Sequence, residues 1–351
     1  MELTKQNLKT RWENLKTTQP GIRIRNAASA LGVSEAELLA TGCGENAIRL
    51  RPEFTAILGE ISSLGKVMAL TRNDEVVHER KGIYLNPSLN NPHVGLFVGE
   101  DIDLRIFFKS WASAYAVTEG FPNDPDKKRY SLQFFATDGE AIHKIYLVPQ
   151  SDVTAFEVLV KKYTADDQSA TQAVSALPGE PAERPDSAID VAGFREAWIN
   201  LQDTHDFFGL LQKYRISRTQ ALRLAPEGDF ARQVPNDTLR KILNLASERK
   251  VPIMVFVGNR GMIQIHTGPV NKLMDHEGWL NVLDPDFNLH VLEKGIAQSW
   301  IVRKPTRDGT VTALEIFNGK GQQIIQLFGK RKPGIPEMET WREIVREVAR
   351  P

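Results

Sequence analysis

The chain has 351 residues, room for two domains of ordinary size, and its 44 Lys+Arg are balanced by 44 Asp+Glu. A net charge of zero excludes a protein held to nucleic acid or to a membrane surface by its overall charge, leaving only local basic patches to consider. One cysteine, Cys43, excludes an internal disulfide and fits a reducing cytoplasm, and no uninterrupted apolar run approaches the ~20 residues of a membrane span.

The N-terminal M-E-L-T-K-Q-N-L-K-T-R-W has no apolar core of a leader peptide, so the expectation is a cytoplasmic protein. Next comes A-A-S-A-L-G-V-S-E-A-E-L-L-A, ending at Ala40, which has the look of a helix-turn-helix. Ser34 and Glu37 have the spacing of a capping box. The helix that would read DNA carries Glu35 and Glu37 and no Arg or Lys to meet phosphate, so DNA binding is only a distant alternative. Alternating stretches follow, separated by the turn signals Asn73-Asp74 and Thr137-Asp138-Gly139. In I-D-L-R-I-F-F, period two puts Ile102, Leu104, Ile106 and Phe108 on one face and Asp103, Arg105 and Phe107 on the other. The first set is core material; the second could line a flat anionic ligand.

Residues 164–188 contain three prolines and almost no bulky apolar side chains, the composition of a linker between halves 1–163 and 189–351. After it, Asp190 to Arg223 reads as three helical pieces. Val191 to Leu201 places Phe194, Ala197, Trp198 and Leu201 on one face. Asp203 or Thr204 is an N-cap candidate for a second helix through Phe207, Phe208, Leu210, Leu211 and Tyr214, and Ser217 caps a third. His205 therefore falls in the first turn of a helix. The positive helix end disfavours imidazolium there, although Asp206 opposes it. Taken alone, a histidine at a helix start is a surface or capping residue. The second half continues with the turns Gly258-Asn259-Arg260-Gly261 and Asn318-Gly319, and with a basic set: Arg218, Arg303, Lys304, Arg307, Lys330 and Arg331.

The halves resemble each other in order. R-W-E-N-L from Arg11 matches A-W-I-N-L from Ala197, and G-V-S-E-A-E-L-L-A from Gly32 matches R-I-S-R-T-Q-A-L-R from Arg215. D-I-D-L-R-I-F-F matches D-F-N-L-H-V-L-E, which sets Arg105 opposite His290. F-A-T-D-G-E-A-I-H-K-I-Y-L matches F-N-G-K-G-Q-Q-I-I-Q-L-F-G, with Tyr146 opposite Phe328. This is a tandem duplication with a period of about 160 residues, too long for a solenoid. Each half reads as N-terminal helices followed by a large antiparallel β-sheet, an α+β fold whose sheets have one face free for something other than helices. Glu35 occupies the place of Arg218, and Pro20, or a neighbour within a three-residue length difference, stands near the place of His205, so only the second half has the histidine and its arginine.

No nucleophile elbow, H-E-x-x-H, C-x-x-C or P-loop is present, and G-N-R-G at 258–261 is a hairpin turn rather than a dinucleotide fingerprint. A histidine ligand, flat aromatic walls and several guanidinium or ammonium groups suit an iron porphyrin, whose propionates need cations. The residues alone leave other flat anionic ligands open. The remaining histidines read as structural or solvent-facing: His143 and His266 within strands, His78 and His93 near turns. Cys43, in T-G-C-G, is a buried or incidental thiol.

V-F-V-G-N-R-G-M-I-Q-I-H-T-G, followed by S-W-I-V-R-K-P-T-R-D-G and Q-L-F-G-K-R, is similar to the cytoplasmic haemin-transport and haem-degrading proteins of Gram-negative haem-uptake systems (HemS/HmuS type). The resemblance covers essentially the whole chain, duplication included. It implies haem (iron protoporphyrin IX) as the bound group, held mainly by the C-terminal half, with His205 as axial iron ligand. It also implies Arg105 as a distal arginine, catalytic if the protein is an enzyme, with Phe107 beside the ring. Arg218, Lys304 and Arg331 would meet propionates or distal water, Phe256 would form an aromatic wall, and Gln326 and Phe328 would share a strand face lining the pocket. Two activities follow from the resemblance. One is a carrier that accepts imported haem for iron acquisition and passes it on. The other is haem degradation, opening the porphyrin with electrons from an external donor. The partners implied are an inner-membrane haem importer and a haem oxygenase, with no nucleic acid, for a monomer or weak homodimer that is not embedded in a membrane.

Overall fold

The computed structural model describes residues 5–121, 124–179, 182–331 and 334–349. Glu180 and Pro181 of the expected linker, and the outermost residues of both expected halves, lie outside the described residues. The chain divides into two compact units. One takes the chain up to Arg72, Glu79–Pro178 and Asn259–Gln264; the other takes Asn73–His78, Gly179–Gly258 and the chain from Ile265.

Elements are numbered in chain order. The first stretch runs α1 (Lys5–Thr18), α2 (Ile24–Leu31), α3 (Glu35–Ala40), β1 (Ala47–Leu50) and α4 (Phe54–Gly59). Then come β2 (Gly65–Arg72), β3 (Val76–Gly82), β4 (Pro87–Ser88), β5 (Val94–Val98) and β6 (Asp103–Phe107). The long strands β7 (Trp111–Phe121), β8 (Asp124–Ala136) and β9 (Ala141–Ser151) lead to α5 (Val153–Tyr163). The second stretch opens with α6 (Val191–Ile199), α7 (Asp206–Tyr214), α8 (Arg218–Arg223), β10 (Ala231–Val234) and α9 (Thr238–Glu248). It continues with β11 (Ile253–Asn259), β12 (Met262–Gly268), β13 (Leu273–His276), β14 (Trp279–Leu283) and β15 (Phe287–Val291). Strands β16 (Gln298–Lys304), β17 (Val311–Phe317) and β18 (Gln323–Gly329) and helix α10 (Glu339–Val348) end it.

The expected α+β duplication is present. In the first unit an antiparallel run follows the order β1-β7-β8-β9-β2; in the second the corresponding order is β10-β16-β17-β18-β11. Smaller antiparallel ribbons, β4-β5-β6 and β13-β14-β15, recur in the same sense. A register irregularity falls between Phe134 and Phe135 and again between the equivalent Ile316 and Phe317, so the repeat preserves even a break in its ladder. The capping box predicted at Ser34 and Glu37 forms, which starts α3 where the sequence placed it.

Packing follows from strand alternation. On one face of the second unit's sheet, Ile301, Leu314, Ile316, Leu327 and Val255 join Leu239, Ile242 and Leu243 of α9 and Trp341 and Ile344 of α10. The i, i+3, i+4 spacing of the α9 residues makes the stripe that this face buries, at about 1.5–3 kcal/mol per side chain. The opposite face is shared. Trp300, Val302 and Phe317 take the α6–α8 cluster through Phe194, Trp198, Phe207, Leu211 and Leu222. Met254, Phe256, Gln326 and Phe328, farther along that face, are left half-buried. The expected linker has no regular structure over most of its length, yet both ends are tied within their own units. Arg49 donates to the carbonyls of Ser169 and Thr171, and Gln220 donates to the carbonyl of Arg184.

Candidate functional site

The three helices predicted between Asp190 and Arg223 form, with Asp190 and Ser217 capping α6 and α8 through Gly193 and Gln220. Asp203 plays a different part from the helix cap expected of it. His205 itself holds the N-cap position of α7, in helical backbone and with no side-chain cap. The Asp203 carboxylate accepts both the backbone N–H of His205 (2.9 Å) and its ring Nδ1–H (2.6 Å). A carboxylate can only accept, so Nδ1 carries a proton, and in the neutral ring the lone pair is therefore on Nε2. The Asp203 carboxyl is held below its ordinary value, first by the backbone N–H of His205 and then by its ring and by Arg331, against a partial burial that raises it. The imidazole is 88 % exposed. Here is a ring fixed at one nitrogen and open at the other. Phe208, three residues on, is also left 62 % exposed, an apolar ring beside the open imidazole.

Beneath α7 lies a charge cluster. Arg218 Nε and Nη2 donate to Glu315 Oε2 (2.7 Å) and Oε1 (2.8 Å), and Lys304 Nζ donates to Oε1 (2.6 Å). Both cations lie over the ring of Phe207, at 5.3 and 4.5 Å from its centroid. Glu315 is fully buried. Burial pushes its carboxyl up, but Arg218 and Lys304 outweigh that and hold it well below the carboxylate range. Burial pushes Lys304 down to about 8, with Arg218 adding to the effect and Glu315 opposing it. The pair expected to reach toward an anion is therefore already engaged by a carboxylate of the chain. Two cations face one carboxylate, which leaves the cluster one positive charge in excess. The repeat reverses the arrangement: in the first unit Lys144 pairs with Glu35, one cation to one anion.

Glu315, Gln326 and Phe256 occupy one row across β17, β18 and β11, and Ala313, Phe328 and Met254 the next. Gln326 and Phe328 thus share a strand face as expected, and Phe328 meets Phe256 edge-on at 5.0 Å between centroids. Arg331 follows β18 with its guanidinium near Asp308 (3.9 Å) and its charge acting on Asp203. The structure brings Arg218, Lys304, Gln326, Phe256 and Phe328 onto one sheet face. Arg303 alternates to the other face and pairs with Asp229.

Arg105 and Phe107 belong to the first unit. On β6 they alternate with Leu104 and Ile106, both fully buried, as the period-two reading requires. The Arg105 guanidinium pairs with Asp103, two residues back on the same face, and that face also presents Leu96 of β5. His290, the repeat mate of Arg105, has its ring on Asn281 (2.6 Å). His143 and His266 are buried strand residues as expected, the latter stacked on Phe287 at 3.7 Å. His78 was expected near a turn; it is a fully buried member of β3. Cys43 is half-buried, and that burial raises its thiol.

Sequence reasoning missed three residues of this site. Asp203 carried a weak signal, a carboxylate two residues before a histidine. Glu315 carried a better one, a lone carboxylate inside the apolar strand T-A-L-E-I-F, which must be buried and therefore paired. Phe207 read as ordinary core and is also the floor beneath two cations.

Comparison with known proteins adds a family and several relatives. The family described as haemin-degrading HemS.ChuX domain matches twice, over residues 32–163 and 215–348. The hemin transport protein HmuS of Yersinia pestis is 41 % identical over 332 residues, covering 93 % of this chain and 93 % of its own. Among solved structures, holo-PhuS, a heme-binding protein from Pseudomonas aeruginosa, is 46 % identical with a TM-score of 0.94, covering 97 % of this chain and 98 % of that one. The heme degrading enzyme ChuS of Escherichia coli O157:H7 is 36 % identical with a TM-score of 0.88, covering 97 % and 98 %.

Proposed function

The chain belongs to the HemS/ChuX family, whose domain it carries twice, and from that premise we propose that it binds haem and carries it onward in iron acquisition. One observation supports this reading above the rest: the exposed imidazole of His205, its tautomer fixed by Asp203 so that Nε2 is free. Haem brings four nitrogens of its own to the iron, so a single protein imidazole is what the site has to add. Among the described residues no three His, Cys, Asp or Glu side chains gather as a cage for a bare ion. The half-buried Phe256 and Phe328 and the exposed Phe208 offer apolar surface to a flat macrocycle, and the excess charge at Arg218 and Lys304 suits a propionate. Arg331, Gln326 and, in the first unit, Arg105 and Phe107 are carried as further haem-site residues on the family resemblance. No helix among the described residues is long and apolar enough to cross a membrane. We assign the protein to the cytoplasm as a monomer or weak homodimer, exchanging haem with an inner-membrane importer and a haem oxygenase.

The test is a haemin titration of wild type and His205→Ala, read in the Soret and visible regions. Wild type saturates at one haem with a histidine-type spectrum; the variant loses that spectrum and binds about 100-fold more weakly, the upper end of what perturbing a ligand's own support costs. Identical spectra overturn the assignment of His205. Similarity to ChuS favours a second reading, opening of the porphyrin. Ascorbate added to the loaded protein separates the two: a persisting Soret band marks a carrier, and decay to a defined product marks degradation.

The position of Lys304 adds a pH dependence. Its ammonium is lost as pH rises through about 8, so affinity for haemin falls above that pH in wild type. The fall is about tenfold, the worth of one charge-assisted hydrogen bond. Lys304→Met starts weaker and shows no such fall between pH 7 and 9.5. Parallel wild-type and variant profiles count against a propionate contact at Lys304.

A further inference from the structure

We propose that Asp203 is a positioning residue that sets the oxidation-state preference of the iron held by His205, an inference that rests on the reading of His205 as the iron ligand. The Asp203 Oδ1 atom holds His205 at two points, the backbone N–H and ring Nδ1, and so fixes both the origin of the side chain and the orientation of its ring. Stability does not explain the pair. The Asp203 and His205 side chains are 60 % and 88 % exposed, and contacts between exposed charges are screened and add little to the fold.

The consequence lies at the far nitrogen. Hydrogen bonding of Nδ1–H to an anion leaves more electron density on the imidazole and makes Nε2 a stronger donor. A stronger donor favours the ferric ion, which carries one positive charge more than the ferrous ion. With Asp203 in place, the site therefore prefers ferric haem. An amide at the same position still offers an oxygen to both N–H groups but carries no charge. Asp203→Asn thus separates the electronic role from the geometric one.

The experiment uses the full-length chain as wild type, Asp203→Asn and His205→Ala, loaded with haemin. The midpoint potential is measured spectroelectrochemically with dithionite as electron donor, and the iron–histidine stretch of the ferrous form by resonance Raman. Asp203→Asn is expected to lower the ferric-over-ferrous preference about tenfold, an upward shift of about 59 mV for a one-electron couple. Its iron–histidine stretch moves to lower frequency, and its thermal midpoint stays at the wild-type value. An unchanged potential and stretch in Asp203→Asn, with the histidine-type spectrum lost in His205→Ala, overturns the role of Asp203 and leaves His205 standing. A wild-type spectrum in His205→Ala overturns the ligand assignment, and the inference about Asp203 falls with it.

Discussion

Glu315→Gln is expected to lower the unfolding free energy by about 3–5 kcal/mol, the cost of removing one partner from a buried ion cluster. Its carboxylate accepts two bonds from Arg218, one from Lys304 and one from Gln323 Nε2 (3.0 Å), so each oxygen is doubly used. The side chains of Glu315 and Lys304 are 0 % and 5 % exposed. Neutralising Glu315 leaves the buried Lys304 ammonium facing the partly exposed Arg218 guanidinium with no anion between them. For a unit of this size that corresponds to a fall of roughly 6–20 °C in the thermal midpoint. The triple variant Glu315→Met, Arg218→Met, Lys304→Met should recover most of the loss, because a buried ion cluster replaced as a whole by apolar side chains is often neutral. Urea unfolding of the single and triple variants checks both statements. A single variant within about 1 kcal/mol of wild type refutes the cluster as a structural keystone.

The second large effect is an acid sensitivity seated in the first unit. His143 lies buried between two hydroxyls, with Thr71 Oγ1 at 2.8 Å from Nδ1 and Tyr84 Oη at 2.7 Å from Nε2. A hydroxyl can donate to a bare nitrogen or accept from an N–H, so the trio serves either neutral tautomer; imidazolium would be a buried charge with no anion beside it. Burial pushes His143 down to about 3. Its folded value lies below its unfolded value of 6.5, so between those limits the unfolded chain binds the extra proton. The stabilisation is complete above pH 6.5 and is lost as pH falls toward 3, at up to about 1.4 kcal/mol per pH unit. His143→Gln, which can bond both hydroxyls without titrating, should flatten that slope. His143→Ala should cost about 3–5 kcal/mol at pH 7 through a cavity and two orphaned hydroxyls. Urea unfolding between pH 7 and 4 reads both. Equal slopes in wild type and His143→Gln rule out His143 as the source.

Much of the site could be read from the sequence because its carriers are local. The helix starts at Asp190 and Ser217 depend on a side chain and a backbone N–H three residues apart, and Gln326 and Phe328 share a face because strand side chains alternate. The duplication was legible because order and spacing survive divergence. The exposed state of Phe208 was not: helical periodicity grouped it with Phe207, whereas only Phe207 faces the sheet.

What the sequence determined by itself was the α+β class, the tandem halves, the three helices around His205 and the set of residue types a haem site needs. Those follow from local propensity, periodicity and repetition. The tertiary structure alone decided which charges meet. Arg218 finds Glu315 across 97 residues, and His143 finds Thr71 and Tyr84 across 72 and 59. Such pairings are set by strand register and by which helix lands on which sheet face, quantities that no local pattern encodes. The duplicated units make the point directly. Equivalent helix positions hold Glu35 in one unit and Arg218 in the other, but their partners, Lys144 of β9 and Glu315 of β17, stand at different places in the repeat, so only the folded register reveals which half keeps a cation to spare.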